Sequence, residues 1–164
     1  MNYYASLPVP WTDIKTHVDP QDIIELPKCS HITLQVMLPY IWIPKEPAKV
    51  LPTAPVQIKL TGLGCFENKD RDVLFARVEL SEQLLKLHTT LVNHYNIKWE
   101  HGTYVPHVTI AFLRPGTAKK YLEKIKWAGA AFTTPSIEWR AHKGKNELKA
   151  AIHFSESLKD IRIE

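Results

Sequence analysis

The residues best suited to chemistry in this sequence are two histidine–threonine pairs. The segments His31-Ile32-Thr33-Leu34 and His107-Val108-Thr109-Ile110 repeat one order of polar and aliphatic residues. Histidine exchanges a proton near neutral pH, and a threonine hydroxyl can donate a hydrogen bond to an anionic oxygen. Breaking a phosphodiester bond requires a base, an acid and donors to the charged phosphate oxygens. Two such pairs could supply all three without a metal ion.

Both segments are predicted to be β-strands whose histidine and threonine share one face. Side chains alternate along a strand, so His31 and Thr33 point to one side, as do His107 and Thr109. The opposite faces then take the apolar residues Ile32, Leu34, Val36, Val108, Ile110 and Phe112. One such pair is common on a half-exposed sheet. Here two such pairs occur almost half the chain apart, and in both the aliphatic residues alternate with His and Thr in the same order. This favours two similar half-domains that each contribute one strand.

The remaining pattern predicts one α+β domain spanning residues 1–164. Six or seven strands are expected, over residues 3–9, 31–38, 56–63, 73–80, 104–112, 136–141 and 147–154, and the clearest helices are 81–95 and 117–126. Ser81 and Thr117 are the predicted N-caps of these helices. Residues 39–55 contain five prolines and are predicted to form a long ordered loop.

Composition narrows the class of protein and of partner. The hydrophobic and charged fractions, 45% and 23%, are those of a folded globular protein. A net charge of +4 weakly favours an anionic partner, and no block of like charges implies a long nucleic acid. No apolar run reaches the ~18–20 residues of a membrane helix, and no signal peptide is evident. Two cysteines do not make a disulfide framework, so a cytoplasmic location is expected.

The chain resembles the 2H phosphoesterase superfamily, whose members carry two His-x-Thr motifs. The likeness spans nearly the whole chain and includes Leu60-Thr61-Gly62-Leu63-Gly64-Cys65-Phe66 and the run at 105–110. It implies a bilobal fold of two antiparallel sheets flanking a central cleft, with helices outside. A narrower likeness, to phage nucleases that degrade the cyclic messengers of CBASS defence, rests on Leu87-His88-Thr89-Thr90-Leu91 and Tyr104-x-Pro106-His107-x-Thr109. The family usually has a helix where this chain has residues 39–55.

Several side chains near the motifs are candidates for substrate contacts. Nucleobases stack on aromatic rings, and Tyr4, Tyr104 and Trp139 lie in segments expected to border the motifs. Glu138 could read a base edge beside Trp139. No His-Glu-x-x-His motif or zinc-spaced cysteine pair occurs, so neither a metal nor a cofactor is expected.

These features predict a metal-independent phosphodiesterase in which His31, Thr33, His107 and Thr109 are catalytic. The predicted substrate is a small nucleotide or cyclic oligonucleotide, and the narrower likeness adds a phage protein acting in the host cytoplasm. A second interpretation is an enzyme of RNA processing that acts on 2′,3′-cyclic phosphates or 2′–5′ links. A third, of another class, is a module that sequesters a nucleotide without cleaving it.

Overall fold

The computed structural model describes residues 2–9, 17–28, 30–39, 55–95, 102–125, 129–134, 136–141, 148–153 and 162–163. The predicted proline-rich loop lies mostly outside the described residues, since these omit 40–54. In the described part of the chain, no helix has the length and hydrophobicity needed to cross a membrane.

The described residues form a ten-stranded antiparallel sheet with few helices. Its strands are β1 (Asn2–Pro8), β2 (Ile23–Glu25), β3 (His31–Pro39), β4 (Val56–Glu67), β5 (Asp72–Val78), β6 (His107–Leu113), β7 (Ala130–Thr134), β8 (Ser136–Ala141), β9 (Leu148–His153) and β10 (Arg162–Ile163). Their order is β10-β9-β8-β1-β3-β6-β5-β4-β7, and β2 pairs with β6. The β4–β5 hairpin turns at residues 68–71.

The prediction of two separate sheets requires correction. The halves are the strand groups β10-β9-β8-β1-β3 and β6-β5-β4-β7, and hydrogen bonding between β3 and β6 joins them. Ile32 of β3 pairs with Val108 of β6. The two strands that carry the His-Thr pairs are therefore central neighbours within one sheet.

Helix α1 (Glu82–Tyr95) covers the face of the sheet opposite the histidines. Ser81 caps it as predicted, because its hydroxyl accepts a 3.1 Å hydrogen bond from the Leu84 N–H. Leu84, Leu87 and Leu91 are buried in one cluster with the apolar face of β3 and β6. Burying each leucine contributes about 1.5–3 kcal/mol, so this contact fixes which face of the sheet remains accessible.

Helix α2 (Lys119–Lys124) is shorter than predicted, and its predicted cap is wrong. The Thr117 hydroxyl donates backward to the Arg114 carbonyl at 2.7 Å instead of accepting from the helix. The buried carboxylate of Asp72 holds the turn before the helix, since it accepts from the N–H groups of Gly116 and Ala118 at 3.0 and 3.1 Å. A residue 44 positions from Gly116 thus fixes the chain just before the helix begins.

Candidate active site

Both His-Thr pairs lie side by side at the centre of the sheet. Around the Ile32–Val108 pair, the antiparallel register sets His31 beside Thr109 and Thr33 beside His107. Directly opposed Cβ atoms in such ladders are ~4.5–5.5 Å apart. An approximate twofold axis through the Ile32–Val108 pair therefore relates one His-Thr pair to the other.

The predicted division between polar and apolar faces is present in both strands. Ile32, Leu34, Val108 and Ile110 are fully buried. His31, Thr33, His107 and Thr109 are each half-buried, on the other face of the sheet. The four proposed catalytic side chains thus retain access to solvent on a single surface.

His107 is oriented by its own backbone and packed against two aromatic rings. Its Nδ1 lies 2.8 Å from the Val105 carbonyl oxygen, so Nδ1 carries the hydrogen and Nε2 is left as the basic nitrogen. The rings of Phe66 and Phe75 lie 5.1 and 5.2 Å away. Burial among these groups lowers the His107 pKa, and the hydrogen bond to Val105 opposes this only in part. The imidazole is therefore biased towards its neutral form.

His31 has a different aromatic neighbour. The ring of Tyr4 lies 4.9 Å from the His31 ring, tilted by 33°. Tyr4 is 4% exposed, so it contacts the histidine more than it faces solvent. Tyr4 is therefore placed to hold the His31 ring against the sheet, and little of its own ring remains for a nucleobase.

Tyr104, predicted to contact substrate, instead links the two motifs from within the protein. Its hydroxyl donates a 2.7 Å hydrogen bond to the Thr33 carbonyl, and its ring stacks on His88 at 3.8 Å. His88 Nδ1 lies 2.7 Å from the next carbonyl of β3, that of Leu34. Burial lowers the His88 pKa and raises that of Tyr104, so both stay neutral. The stacked pair fixes the backbone of β3.

The prediction that Trp139 stacks on a base is wrong. Trp139 is fully buried, and its indole N–H donates to the Tyr95 hydroxyl at 3.1 Å. Glu138 lies on the other face of β8, where its carboxylate pairs with Arg140 at 3.2 Å. Neighbours in a strand point to opposite faces, so Trp139 could not share a surface with both flanking residues. Glu138 stays on the accessible face, across from Ser6 of β1.

A β-bulge near the end of β6 changes which side chains point to each face of the strand. Phe75 pairs with Thr109 and Leu74 with Ala111, which leaves Ile110 as an extra residue. Phe112 was predicted to lie on the apolar face, away from His107. The bulge instead places it on the face that carries His107, where it is half-buried. The Arg71 guanidinium lies 4.0 Å above the Phe112 ring.

Sequence reasoning missed the residues that β5 adds beside His107. Arg77 is directly opposite His107 in the β5–β6 ladder, and Phe75 is opposite Thr109. Gly64 of β4 lies across from Phe75. Because residues two apart in a strand share a face, the sequence of β5 could have placed Arg77 and Phe75 on one face. The pairing of β5 with β6 was needed to place that face beside His107.

Among the described residues, no three His, Cys, Asp or Glu side chains lie close enough together to hold a metal ion. The described side chains on this face include imidazoles, hydroxyls, the Arg77 guanidinium, and the paired Glu138 and Arg140. This set suits proton transfer and binding of an anionic group.

Residues 9–145 match the 2′-5′ RNA ligase superfamily. Because the match covers most of the 164 residues, the chain belongs to this superfamily of 2H phosphoesterases. Membership implies phosphoesterase or phosphodiesterase activity. No match was found among curated proteins.

Solved structures share the fold at low sequence identity. E. coli LigT complexed with 3′-AMP has a TM-score of 0.62 and 10% identity, over 93% of this chain and 94% of LigT. A structure described as a phosphoesterase has a TM-score of 0.61 and 13% identity, over 85% and 86% of the two chains. LigT complexed with NADP+ has a TM-score of 0.60 and 11% identity, over 94% and 98%. At such identities these likenesses show a common fold.

Proposed function

We propose that this protein is a metal-independent phosphodiesterase that uses His31 and His107 as general acid and base. The observation that carries the proposal is the pairing of Ile32 with Val108, because it sets both His-Thr pairs side by side on one accessible face. The threonine hydroxyls would donate to the non-bridging phosphate oxygens as negative charge grows there.

His107 is the better base for the first step. Its Nδ1–H is engaged by the Val105 carbonyl, burial favours the neutral imidazole, and Nε2 can accept a proton. Nε2 takes the proton of the ribose 2′-hydroxyl, and O2′ attacks phosphorus. As the bond from phosphorus to O5′ breaks, His31 gives its proton to O5′. The products are a 2′,3′-cyclic phosphate and a free 5′-hydroxyl.

The histidines exchange roles in the second step. His31, now neutral, takes a proton from water, whose oxygen attacks the cyclic phosphate. His107, protonated in the first step, returns its proton to the departing ribose oxygen. The enzyme regains its starting protonation, and a terminal phosphomonoester is released. For a 2′–5′ link, the 3′-hydroxyl is the nucleophile.

The proposed substrate is a cyclic nucleotide or cyclic oligonucleotide. Support comes from the resemblance of 87–91 and 104–109 to phage nucleases that degrade CBASS messengers. Such an enzyme would act in the cytoplasm of the infected host cell.

A second candidate is cleavage of 2′–5′ links or 2′,3′-cyclic phosphates in RNA processing. The superfamily's name concerns 2′–5′ linked RNA, and one LigT structure holds 3′-AMP. In this case the products would be linear RNA fragments or nucleoside monophosphates.

Product analysis distinguishes these functions. The protein is incubated, with and without EDTA, with cyclic oligonucleotides, 3′–5′ and 2′–5′ dinucleotides and 2′,3′-cyclic mononucleotides, and products are identified by mass. Cleavage that survives EDTA is expected, because the two His-Thr pairs offer imidazoles and hydroxyls and no carboxylate to a hard cation. Activity that needs an added divalent ion, or ligands recovered intact, would contradict the proposal.

A further inference from the structure

Arg77 is an exposed cation on the face of the sheet that carries the His-Thr pairs. Its Nε donates to the Leu63 carbonyl at 3.1 Å, which fixes the direction of the side chain. Four other cations, Arg71, Lys119, Lys120 and Arg140, each pair with a carboxylate. Within the described part of the chain, Arg77 forms no ion pair and remains exposed. Its terminal nitrogens are therefore available to an external anion.

Gly64 provides the space in which this guanidinium lies. A Cβ atom at position 64 would come within 3.0 Å of the Arg77 Cζ and 2.7 Å of the Phe75 ring. The guanidinium is thus above β4, two strands from the β6 strand that carries His107. With strands ~4.8 Å apart, this is about 10 Å from the His107 backbone. That distance suits an anion other than the phosphate undergoing cleavage.

An exposed aromatic ring lies next to His107 on the same face. Phe66 is 37% exposed, and its ring lies 4.4 Å from Phe75 and 5.1 Å, edge-on, from His107. Phe75 beneath it is 2% exposed and supports the ring from below. Among described side chains, Phe66 is the one large aromatic residue classed as exposed. A supported ring of this kind can stack a nucleobase.

We propose that Phe66 and Arg77 form a second nucleotide subsite, in which a base stacks on Phe66 and Arg77 binds a phosphate next to the scissile one. The inference rests on the proposed phosphodiesterase function and narrows its substrate class. Substrates with at least two phosphates, linear or cyclic oligonucleotides, are preferred over 2′,3′-cyclic mononucleotides. Gly64 is required because a side chain there would displace both the arginine and the supporting ring.

Kinetics on two substrates test the subsite. A dinucleotide with only the scissile phosphate is compared with the same dinucleotide carrying a terminal phosphate at its 5′ or 3′ end. Arg77→Gln should raise KM for a doubly phosphorylated substrate roughly tenfold or more, as for a lost hydrogen bond to a charged group. KM for the singly phosphorylated one and kcat for both should change about twofold or less. Lys86→Gln, an equal charge change on exposed α1, should affect neither substrate.

Binding of uncleavable 2′-deoxy analogues separates this inference from the proposed function. The wild type should bind the analogue with the extra phosphate more tightly, and Arg77→Gln and Gly64→Ala should lose that preference. This result would support the subsite even if no substrate were cleaved. Equal binding of both analogues, binding of neither, or an equal kinetic effect of Arg77→Gln on both substrates would overturn it.

Discussion

The hydroxyl of Tyr104 donates a 2.7 Å hydrogen bond to the carbonyl of Thr33, so a residue close to one histidine holds the strand that carries the other. His88 occupies the adjacent Leu34 carbonyl at 2.7 Å. These side chains continue the contact between the motifs beyond the Ile32–Val108 pair. The relative position of the two histidines therefore depends on Tyr104 as well as on backbone pairing.

Replacing Tyr104 with phenylalanine should lower kcat more than it raises KM, because substrate does not contact the lost hydroxyl. A buried carbonyl left without its donor also costs about 1–3 kcal/mol of unfolding free energy. Tyr95→Phe is the matched control, since its buried hydroxyl contacts Trp139 away from the active face. The two variants should lose similar stability in chemical denaturation, and only Tyr104→Phe should lose turnover. Equal turnover in both would contradict the positioning role.

Removing either imidazole should nearly abolish activity. His31→Ala and His107→Ala are each expected to reduce kcat by ~10²–10⁴-fold, the contribution of a general acid or base. Both side chains are half-buried on an accessible face, so thermal unfolding should change little. Near-normal turnover by either folded variant would rule out the two-histidine mechanism.

The pH profile should report the buried environment of His107. The proposed base must be neutral, and burial lowers its pKa, so the neutral form persists to lower pH than in an ordinary histidine. The acid limb of kcat/KM should therefore inflect below about 6.5. Phe66→Ala opens the His107 ring to water and should move this limb upward. A wild-type limb at or above 6.5 would assign the base to another group.

The nucleophile is tested by removing the hydroxyl next to the scissile bond. A 2′-deoxy version of a 3′–5′ linked substrate should resist cleavage, because no attacking oxygen is held beside phosphorus. Its affinity should stay within about tenfold, since one neutral hydrogen bond contributes ~0.5–1.5 kcal/mol. Rapid cleavage, followed by product mass, would mean that water attacks directly.

Strand alternation was enough to predict the centre of the site. The repeated His-x-Thr segments placed Ile32 and Val108 in the core and the histidines on the other face, as the structure has them. Local patterns also located α1 and its Ser81 cap. These features depend on residues close together in sequence.

The features that were missed depend on contacts between distant segments. The bulge at Ile110 is visible only once β5 is paired with β6, and it reverses the side to which Phe112 points. Asp72 binds the turn before α2 from β5, which no local pattern at Thr117 indicates. Trp139 was a different kind of error, because strand alternation should have separated it from Glu138 and Arg140.

Because the two His-Thr pairs are nearly equivalent, the residues around them must distinguish the two sides of the scissile phosphate. Each histidine has a threonine beside it across the same pair of strands, so the pairs alone do not determine which bridging oxygen departs. In the proposed enzyme the direction of a bound nucleotide would be set by unequal flanks, with Glu138 and Arg140 on β8 beyond β1 and Phe66 and Arg77 on β4 and β5 beyond β6. Substitutions in these flanks would reverse the orientation of the substrate and so change which bridging oxygen departs. The proton transfers by the two histidines would stay the same.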